Sequence, residues 1–274
     1  MKLCRRASEL AGFQGTVGFV PTMGALHQGH LSLVNACRKA CDTVVVSIFV
    51  NPTQFNDPKD LENYPRTEQN DLQLLEAAGV DYVFAPSVEE VYPEPDTRVF
   101  DFGGLDRVME GEHRPGHFNG VGQVVSRLFD IVKPDKAFFG EKDFQQLAII
   151  RYMVRQLGLP IEIVGCPIVR DTDGLARSSR NMLLTPECRA AAPHIYEVLS
   201  DAVRSLRGQV SVAEAKRLIA ERIDENPNLQ TEYIEIASAA TLQPATEWGA
   251  SVGELRCFAA VHAGQIRLID NVAI

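Results

Sequence analysis

The 274-residue chain has no run of five or more basic residues, and its 27 Lys and Arg are outnumbered by 36 Asp and Glu, for a formal charge of −9. Affinity for a polynucleotide rests largely on neutralising phosphates with cations, so a nucleic-acid partner is disfavoured. A small anion is not, because a few cations and a helix N-terminus are enough to hold one. The longest strongly apolar run, residues 44–46 with 48–50, falls well short of the roughly 18–20 residues that a membrane helix needs. Residues 1–10 (MKLCRRASEL) carry charge but no apolar core, unlike a secretory signal. None of the six cysteines forms a C-x-x-C pair. Cys37 and Cys41, four apart on a predicted helix, read as small packing residues, and reduced thiols in a cytoplasm are the simplest setting. Internal repeats and low-complexity linkers are also missing. What is present is ordinary: 45% apolar and 23% charged residues, the balance of a globular protein, on a chain long enough for one or two domains.

Short β-rich runs alternate with helical periodicities over the first two thirds of the chain. Residues 16–21 (TVGFVP) predict a first strand, 30–40 a helix, and 43–50 (TVVVSIFV) a strand covered on both faces, as in a parallel sheet. A helix over 71–78, a strand over 81–85, a strongly amphipathic helix over 121–132, a strand over 135–139, a helix over 144–157 and a strand over 161–166 continue the pattern. Residues 97–102 (TRVFDF) read as an edge or interface strand. The alternation predicts an α/β fold, a Rossmann-like doubly wound parallel sheet over residues 1–168. After residue 169 the texture changes. A turn cluster (RDTDG, 170–174), one long helix opening at Pro186 and a second over 211–223 precede three β-like runs at 233–237, 257–262 and 266–269. These predict a smaller C-terminal α+β domain over 169–274. Residues 240–256 have no assignable role.

The sharpest local signal is Met23-Gly24-Ala25-Leu26-His27-Gln28-Gly29-His30, directly after the first strand. It puts two imidazoles and a helix N-terminus at the C-terminal edge of a parallel sheet, where open α/β folds bind ligands and where phosphate is favoured. His27 and His30 share one face of a first helical turn, and imidazole donors there suit a phosphoryl group gathering charge. The same H-x-x-H could be half a metal site completed by His113 and His117, but no cysteine or carboxylate lies at tight ligand spacing beside it. Gln54 leaves the second strand through Asn51-Pro52 and offers both donor and acceptor to a small polar substrate, or is an exposed loop amide. Gly140-Glu141-Lys142-Asp143 follows another strand. Lys142 suits phosphate charge, and Asp143 either accepts from a ribose hydroxyl or caps the next helix. Arg177-Ser178-Ser179-Arg180 supplies hydroxyls and guanidinium groups for phosphate oxygens, or is a solvated turn. Arg114 and His117 are a loop or a substrate contact. Asp71 is a helix-start carboxylate or a magnesium holder.

H-x-G-H after a first strand resembles the signature of the nucleotidyltransferase superfamily that includes class I aminoacyl-tRNA synthetases. Four blocks then occur in order: PTMGALH (21–27), FVNPTQF (49–55), GEKDFQQL (140–147) and SSRN (178–181). Together they resemble the pantoate–β-alanine ligase (pantothenate synthetase) family over essentially the whole chain. That resemblance implies an ATP-dependent, AMP-forming ligase that condenses pantoate with β-alanine through a pantoyl adenylate. It implies MgATP (ATP and Mg2+) bound by Met23, Gly24, Ala25, Leu26, His27, Gln28, Gly29, His30, Gly140, Glu141, Lys142, Asp143, Val169, Arg177, Ser178, Ser179 and Arg180. Of these, His30, His27 and Lys142 would be catalytic, and Gln54 and Gln146 would bind pantoate. Tyr64 and Phe139, with Met23, would wall the pantoate pocket. The C-terminal domain would act as a lid on ATP, and a homodimer is implied. Arg177 departs from the family's usual apolar residue. Two readings compete with the ligase: a nucleotidyltransferase with another acceptor, which would need more cations than neutral Gln54 and Gln146 offer, and an idle nucleotide sensor.

Overall fold

The structure, a computed structural model, describes residues 1–55, 58–249 and 253–274. The chain divides into two compact units, one of Met1–Asp106, Glu110–Glu141 and Gln146–Pro167, the other of Arg107–Met109, Lys142–Gln145 and Ile168–Ile274.

The first unit is a six-stranded sheet whose pairings are all parallel. Its strands are β1 (Lys2–Cys4), β2 (Val17–Thr22), β3 (Thr43–Ile48), β4 (Tyr82–Phe84), β5 (Lys136–Gly140) and β6 (Glu162–Cys166), in the spatial order β1-β4-β3-β2-β5-β6. The helices are α1 (Gln28–Ala40), α2 (Pro58–Asn63), α3 (Glu68–Ala77), α4 (Val88–Val91), α5 (Glu110–His113), α6 (His117–Val132) and α7 (Phe144–Gln156). All nine predicted strands and helices of the alternation lie within a few residues of their expected places, because strands buried on both faces and amphipathic helices leave strong apolar patterns. Val44, Val45 and Val46 of β3 are fully buried, each worth roughly 1.5–3 kcal/mol of transfer free energy. One core cluster joins Val20, Leu33, Val34, Val44, Val46, Leu75, Val83 and Phe138.

Strand order reverses at β2, with β3 on one side and β5 on the other. The two seams differ. β2 pairs with β3 along Val17 to Thr22 but with β5 only at Gly18 and Phe19. Thr22 faces β3, since its carbonyl accepts from the Phe49 N–H at 3.0 Å. Alternation along a strand therefore turns Pro21 toward β5, where it has no N–H to offer, and the ladder stops. The opposite edge of the sheet is laced by aspartates. Asp42 accepts from the Thr16 N–H (2.8 Å), Asp135 from Val17 (2.7 Å) and Asp81 from Val44 (2.9 Å).

Residues 97–102 are not a strand. They run as a strap held by amide side chains of α6: Gln123 donates to the carbonyls of Asp96 and Arg98 (2.9 Å each), and Asn119 accepts from the Phe100 N–H at 2.9 Å. Backbone partners supplied by side chains replace the sheet ladder that their β-rich composition suggested. The Asp96 carboxylate, buried against Arg98 (2.5 Å) and Arg127 (3.1 Å), is held well below the usual carboxylate range, chiefly by the Arg98 guanidinium.

The second unit holds α8 (Pro186–Ala191), α9 (Pro193–Ser205), α10 (Val212–Asp224) and an antiparallel sheet of β7 (Leu229–Ser238), β8 (Leu255–Ala263) and β9 (Ile266–Ala273), in that order. The single long helix expected from Pro186 is two, because Pro193 cannot donate within a continuous helix and starts a new one at its first position. Ile195, Val198, Leu199 and Ala202 of α9 pack with Ala215, Ile219 and Ile223 of α10 and with β8. The three strands outrun their expected lengths. Within the segment 240–256, Trp248 donates to the Val210 carbonyl at 2.6 Å, which ties it to the start of α10; residues 250–252 lie outside the described residues.

All six cysteines are free thiols, and five are buried. Cys37 and Cys41 do pack as small residues, since a Cβ at Gly18 would meet their sulfurs at 2.2 and 2.7 Å. Burial pushes the Cys37 thiol far up and that of Cys257 up to about 12. A thiol reagent at pH 8 is therefore expected to modify Cys41 alone in the native protein and all six after unfolding. Rapid native modification of two or more thiols would contradict this packing. Among the described residues, no helix is long and apolar enough to cross a membrane.

Candidate active site

Because β2, β3 and β5 are parallel, the segments that follow them leave from one edge of the sheet. They are residues 23–27, 49–54 and the turn beginning at Gly140. The first follows the unlaced end of β2, at the point of strand-order reversal where such sheets bind ligands. Thr22 shapes the exit. Its hydroxyl donates to the Ser47 carbonyl (2.7 Å) and accepts from the Gly24 N–H (3.2 Å). Gly24 and Ala25 then take left-handed backbone, φ 78° and 49°, a conformation costly for alanine that persists only where the surroundings impose it.

Helix α1 begins at Gln28, two residues earlier than the periodicity predicts, so Gly29 and His30 lie inside its first turn. His27 is the N-cap. Its Nδ1 accepts from the Gly29 N–H at 3.1 Å, while Nδ1 of His30 accepts from the His27 N–H at 3.3 Å. Each neutral ring therefore carries its proton on Nε2, the nitrogen that points away from the cap. The rings lie 4.1 Å apart at 34°.

Asp71 stands in the first turn of α3 but does more than face solvent at a helix start. It is fully buried on α3, and its oxygens accept from the N–H groups of Ala25 (2.9 Å) and Leu26 (2.8 Å) and from the Thr67 hydroxyl (3.0 Å). Among the described residues, no group of three or more His, Cys, Asp or Glu is arranged to hold a metal ion.

Gln54 is brought to the same loop. Its Nε2 lies 3.2 Å from the Met23 sulfur, and its Oε1 accepts from Asn51 at 3.1 Å. Asn51 is buried and also accepts from the Tyr92 hydroxyl at 2.9 Å. His117 is nearly buried and acts on Gln54 through the backbone, its Nδ1 lying 2.8 Å from the Gln54 carbonyl and its Nε2 3.1 Å from Arg114. An arginine can only donate, so Nδ1 of His117 carries the proton that goes to Gln54. Arg114 and His117 thus brace the Gln54 segment. The bracing was invisible in the sequence, where 63 residues separate His117 from its partner. Tyr64 packs edge-on against Phe55 (5.6 Å), next to Gln54, whereas Phe139 packs edge-on against Phe129 (6.5 Å) as part of the core. Gln146 sits partly exposed in the first turn of α7.

Gly140 ends β5 and Glu141 opens the turn after it, both in the first unit, whereas Lys142, Asp143, Val169 and residues 177–180 belong to the second. Lys142 pairs loosely with the half-exposed Asp143 (3.8 Å), an interaction worth little in solvent. Its carbonyl is fixed by Asn271 of β9 (2.9 Å), whose Oδ1 accepts in turn from Arg256. Nothing in the sequence marks Asn271 for this. Val169 and Arg177 close a hairpin, Arg177 N–H donating to the Val169 carbonyl at 2.9 Å. The Arg177 guanidinium is engaged by Asp171 at 2.7 Å, so the unusual cation at this position has a partner within its own hairpin. Ser178 caps the turn that carries Ser179 and Arg180, accepting from the Arg180 N–H at 3.3 Å, and Ser179 is buried.

A parallel α/β sheet with a histidine-capped helix at its reversal point, and a neutral amide beside that loop, defines an HxGH-type nucleotide-dependent enzyme. Comparison with known proteins narrows the class. The family model described as pantoate-beta-alanine ligase matches residues 2–273, and the chain belongs to that family. It is 56% identical over 257 residues to the pantothenate synthetase of Porphyromonas gingivalis, covering 94% of this chain and 91% of the relative. Identity to the Bacteroides thetaiotaomicron pantothenate synthetase is 54% over 256 residues, 93% of this chain and 90% of the relative. The crystal structure of pantothenate synthetase from Thermus thermophilus superposes with a TM-score of 0.93 at 47% identity, over 99% of each chain. Pantoate-beta-alanine ligase from Francisella tularensis, complexed with beta-gamma ATP and beta-alanine, does so with a TM-score of 0.84 at 34% identity, over 100% of this chain and 97% of the other.

Proposed function

We propose a residue-level account of the reaction of this ATP-dependent pantoate–β-alanine ligase. The pantoate carboxylate attacks the α-phosphorus of ATP and displaces pyrophosphate, which gives pantoyl adenylate. The β-alanine amine then attacks the adenylate carbonyl and AMP leaves with the bonding pair, giving pantothenate. A carboxylate does not react with an amine at neutral pH, so the first step supplies the leaving group that the second needs. Charge builds on the phosphate oxygens in both steps. His27 and His30 donate from Nε2 to those oxygens, and Lys142 adds a full positive charge. Gln54 and Gln146 hold pantoate through neutral amides, and Met23 packs beside Gln54. Magnesium travels with the nucleotide as MgATP, in keeping with the engagement of both Asp71 oxygens by N–H groups. The observation that carries this reading is the pair of histidines whose Nδ1 atoms accept from N–H groups at the start of α1, which fixes the orientation of both rings beside the strand-order reversal.

Met23 to His30 and Gly140 to Asp143 contact ATP, joined by Val169 and residues 177–180 of the second unit, which serve as a lid that keeps water from the acyl adenylate. The enzyme works as a cytoplasmic homodimer. Replacing Ser178, Ser179 and Arg180 together by alanine is expected to raise pantoate-dependent AMP release in the absence of β-alanine, relative to pantothenate formation. The measurement is AMP and pantothenate by chromatography under matched conditions, and an unchanged ratio would remove the water-excluding role.

A further inference from the structure

Helix α3 contributes no residue to the proposed contacts with ATP or pantoate, yet one of its side chains holds the histidine loop. Asp71 is fully buried, and a carboxylate is retained in such a place only when hydrogen bonds replace its water. Its two oxygens accept from consecutive backbone N–H groups, Ala25 at 2.9 Å and Leu26 at 2.8 Å. The first belongs to the left-handed turn at Gly24 and Ala25 itself, the second to the residue after it, immediately before the His27 N–H of the cap. Thr67 supports the same reading independently. It stands at the N-cap of α3, where a threonine ordinarily accepts from its own helix, but it makes no such bond and gives its hydroxyl to Asp71 at 3.0 Å instead. Hydrogen bonds therefore tie Thr67 to Asp71 and Asp71 to the peptides of Ala25 and Leu26, and the covalent chain carries that constraint one residue further to His27, whose N–H meets the His30 ring.

We infer that Asp71 is a positioning residue for the phosphate-transfer step: it sets the placement of His27 and His30 through the backbone at 25–26, with Thr67 orienting it. The inference rests on the reading of these histidines as phosphate donors. Asparagine at 71 keeps the shape but turns one acceptor into an NH2 facing an N–H, so one bond is lost and two donors oppose each other. The test is pantoate-dependent exchange of labelled pyrophosphate into ATP, with kcat and both KM values determined per folded molecule. Asp71→Asn is expected to lower kcat at least about ten-fold with KM for ATP and pantoate nearly unchanged, because a small misplacement of transition-state donors acts on kcat. Leu75→Ala, a core truncation on the same helix, is the control: it lowers the melting temperature and leaves kcat alone. Asp71→Asn with kcat within about two-fold of wild type, or a loss mirrored in Leu75→Ala, would overturn the inference. Should Asp71→Asn not fold, Thr67→Val decides, with an expected drop in kcat of about two- to five-fold and an unchanged kcat as the contrary result. His30→Ala separates the two readings. Undiminished exchange there defeats the donor role itself, whereas its loss beside an unaffected Asp71→Asn defeats only the positioning role.

Discussion

His30→Ala and Lys142→Ala each reduce pantoate-dependent pyrophosphate exchange by about 10²–10³-fold, the usual cost of losing one donor to developing charge. The two substitutions differ in what else they remove. Among the described residues the Lys142 ammonium pairs loosely with Asp143 at 3.8 Å, a contact worth little in solvent, so its loss reports chiefly on phosphate charge. His30 also accepts from the His27 N–H, and part of its effect comes from a loosened helix start. His30→Asn separates these contributions, because a short amide oxygen can accept from that N–H while bringing no imidazole donor. It is expected to fall as far as the alanine variant. Exchange within about ten-fold of wild type in both Lys142→Ala and His30→Asn would leave the site without its proposed electrostatic stabilisation.

Gly120→Ala should produce the second large effect, directed at the other substrate. Gly120 lies on α6, and a Cβ there would come within 2.5 Å of the Thr53 carbonyl oxygen, 2.8 Å of its carbon and 2.9 Å of the Gln54 Cα. These are backbone atoms and cannot swing aside. Alanine is the better helix former by about 0.8–1.0 kcal/mol, but overpacking at this closeness costs about 1–3 kcal/mol or more. The net result is a less stable protein in which residues 53–54 have been pushed away from α6. Because Gln54 travels with them, KM for pantoate should rise about ten-fold or more, since misplacement on the ångström scale is expensive. KM for ATP should hold, the histidine loop being anchored to Asp71 instead. Kinetics in each substrate, with a melting curve, test this; an unshifted pantoate KM would mean that the Gln54 segment is not pinned by α6.

The reach of the sequence can be traced through particular elements. β3 and α6 were legible because a strand covered on both faces and an amphipathic helix leave strong periodic signals. β1 was not: it has three residues, only Cys4 of which is buried, and its place is set by the backbone of β4. The break between α8 and α9 was signalled by Pro193 and passed over in favour of the apolar spacing beyond it. In the site, the motifs marked Met23 to His30, Gln54 and Gly140 to Asp143. Their supports were silent because each acts on a distant backbone atom: Asp71 on residues 45 and 46 positions away, His117 on Gln54, Asn271 on Lys142. A buried carboxylate that grips a loop and one that faces solvent at a helix start occupy the same place in a sequence pattern. Only the fold tells them apart.

Pro21 ends the seam between β2 and β5 by lacking a single hydrogen, so the mouth of this enzyme is built in from the moment the chain folds. No motion is required to part those strands, and no inserted loop is required to wedge them. A doubly wound sheet with an ordinary residue there could knit itself shut by one more rung. Here the omission of a proton from one peptide keeps a doorway open beside the histidine-capped helix.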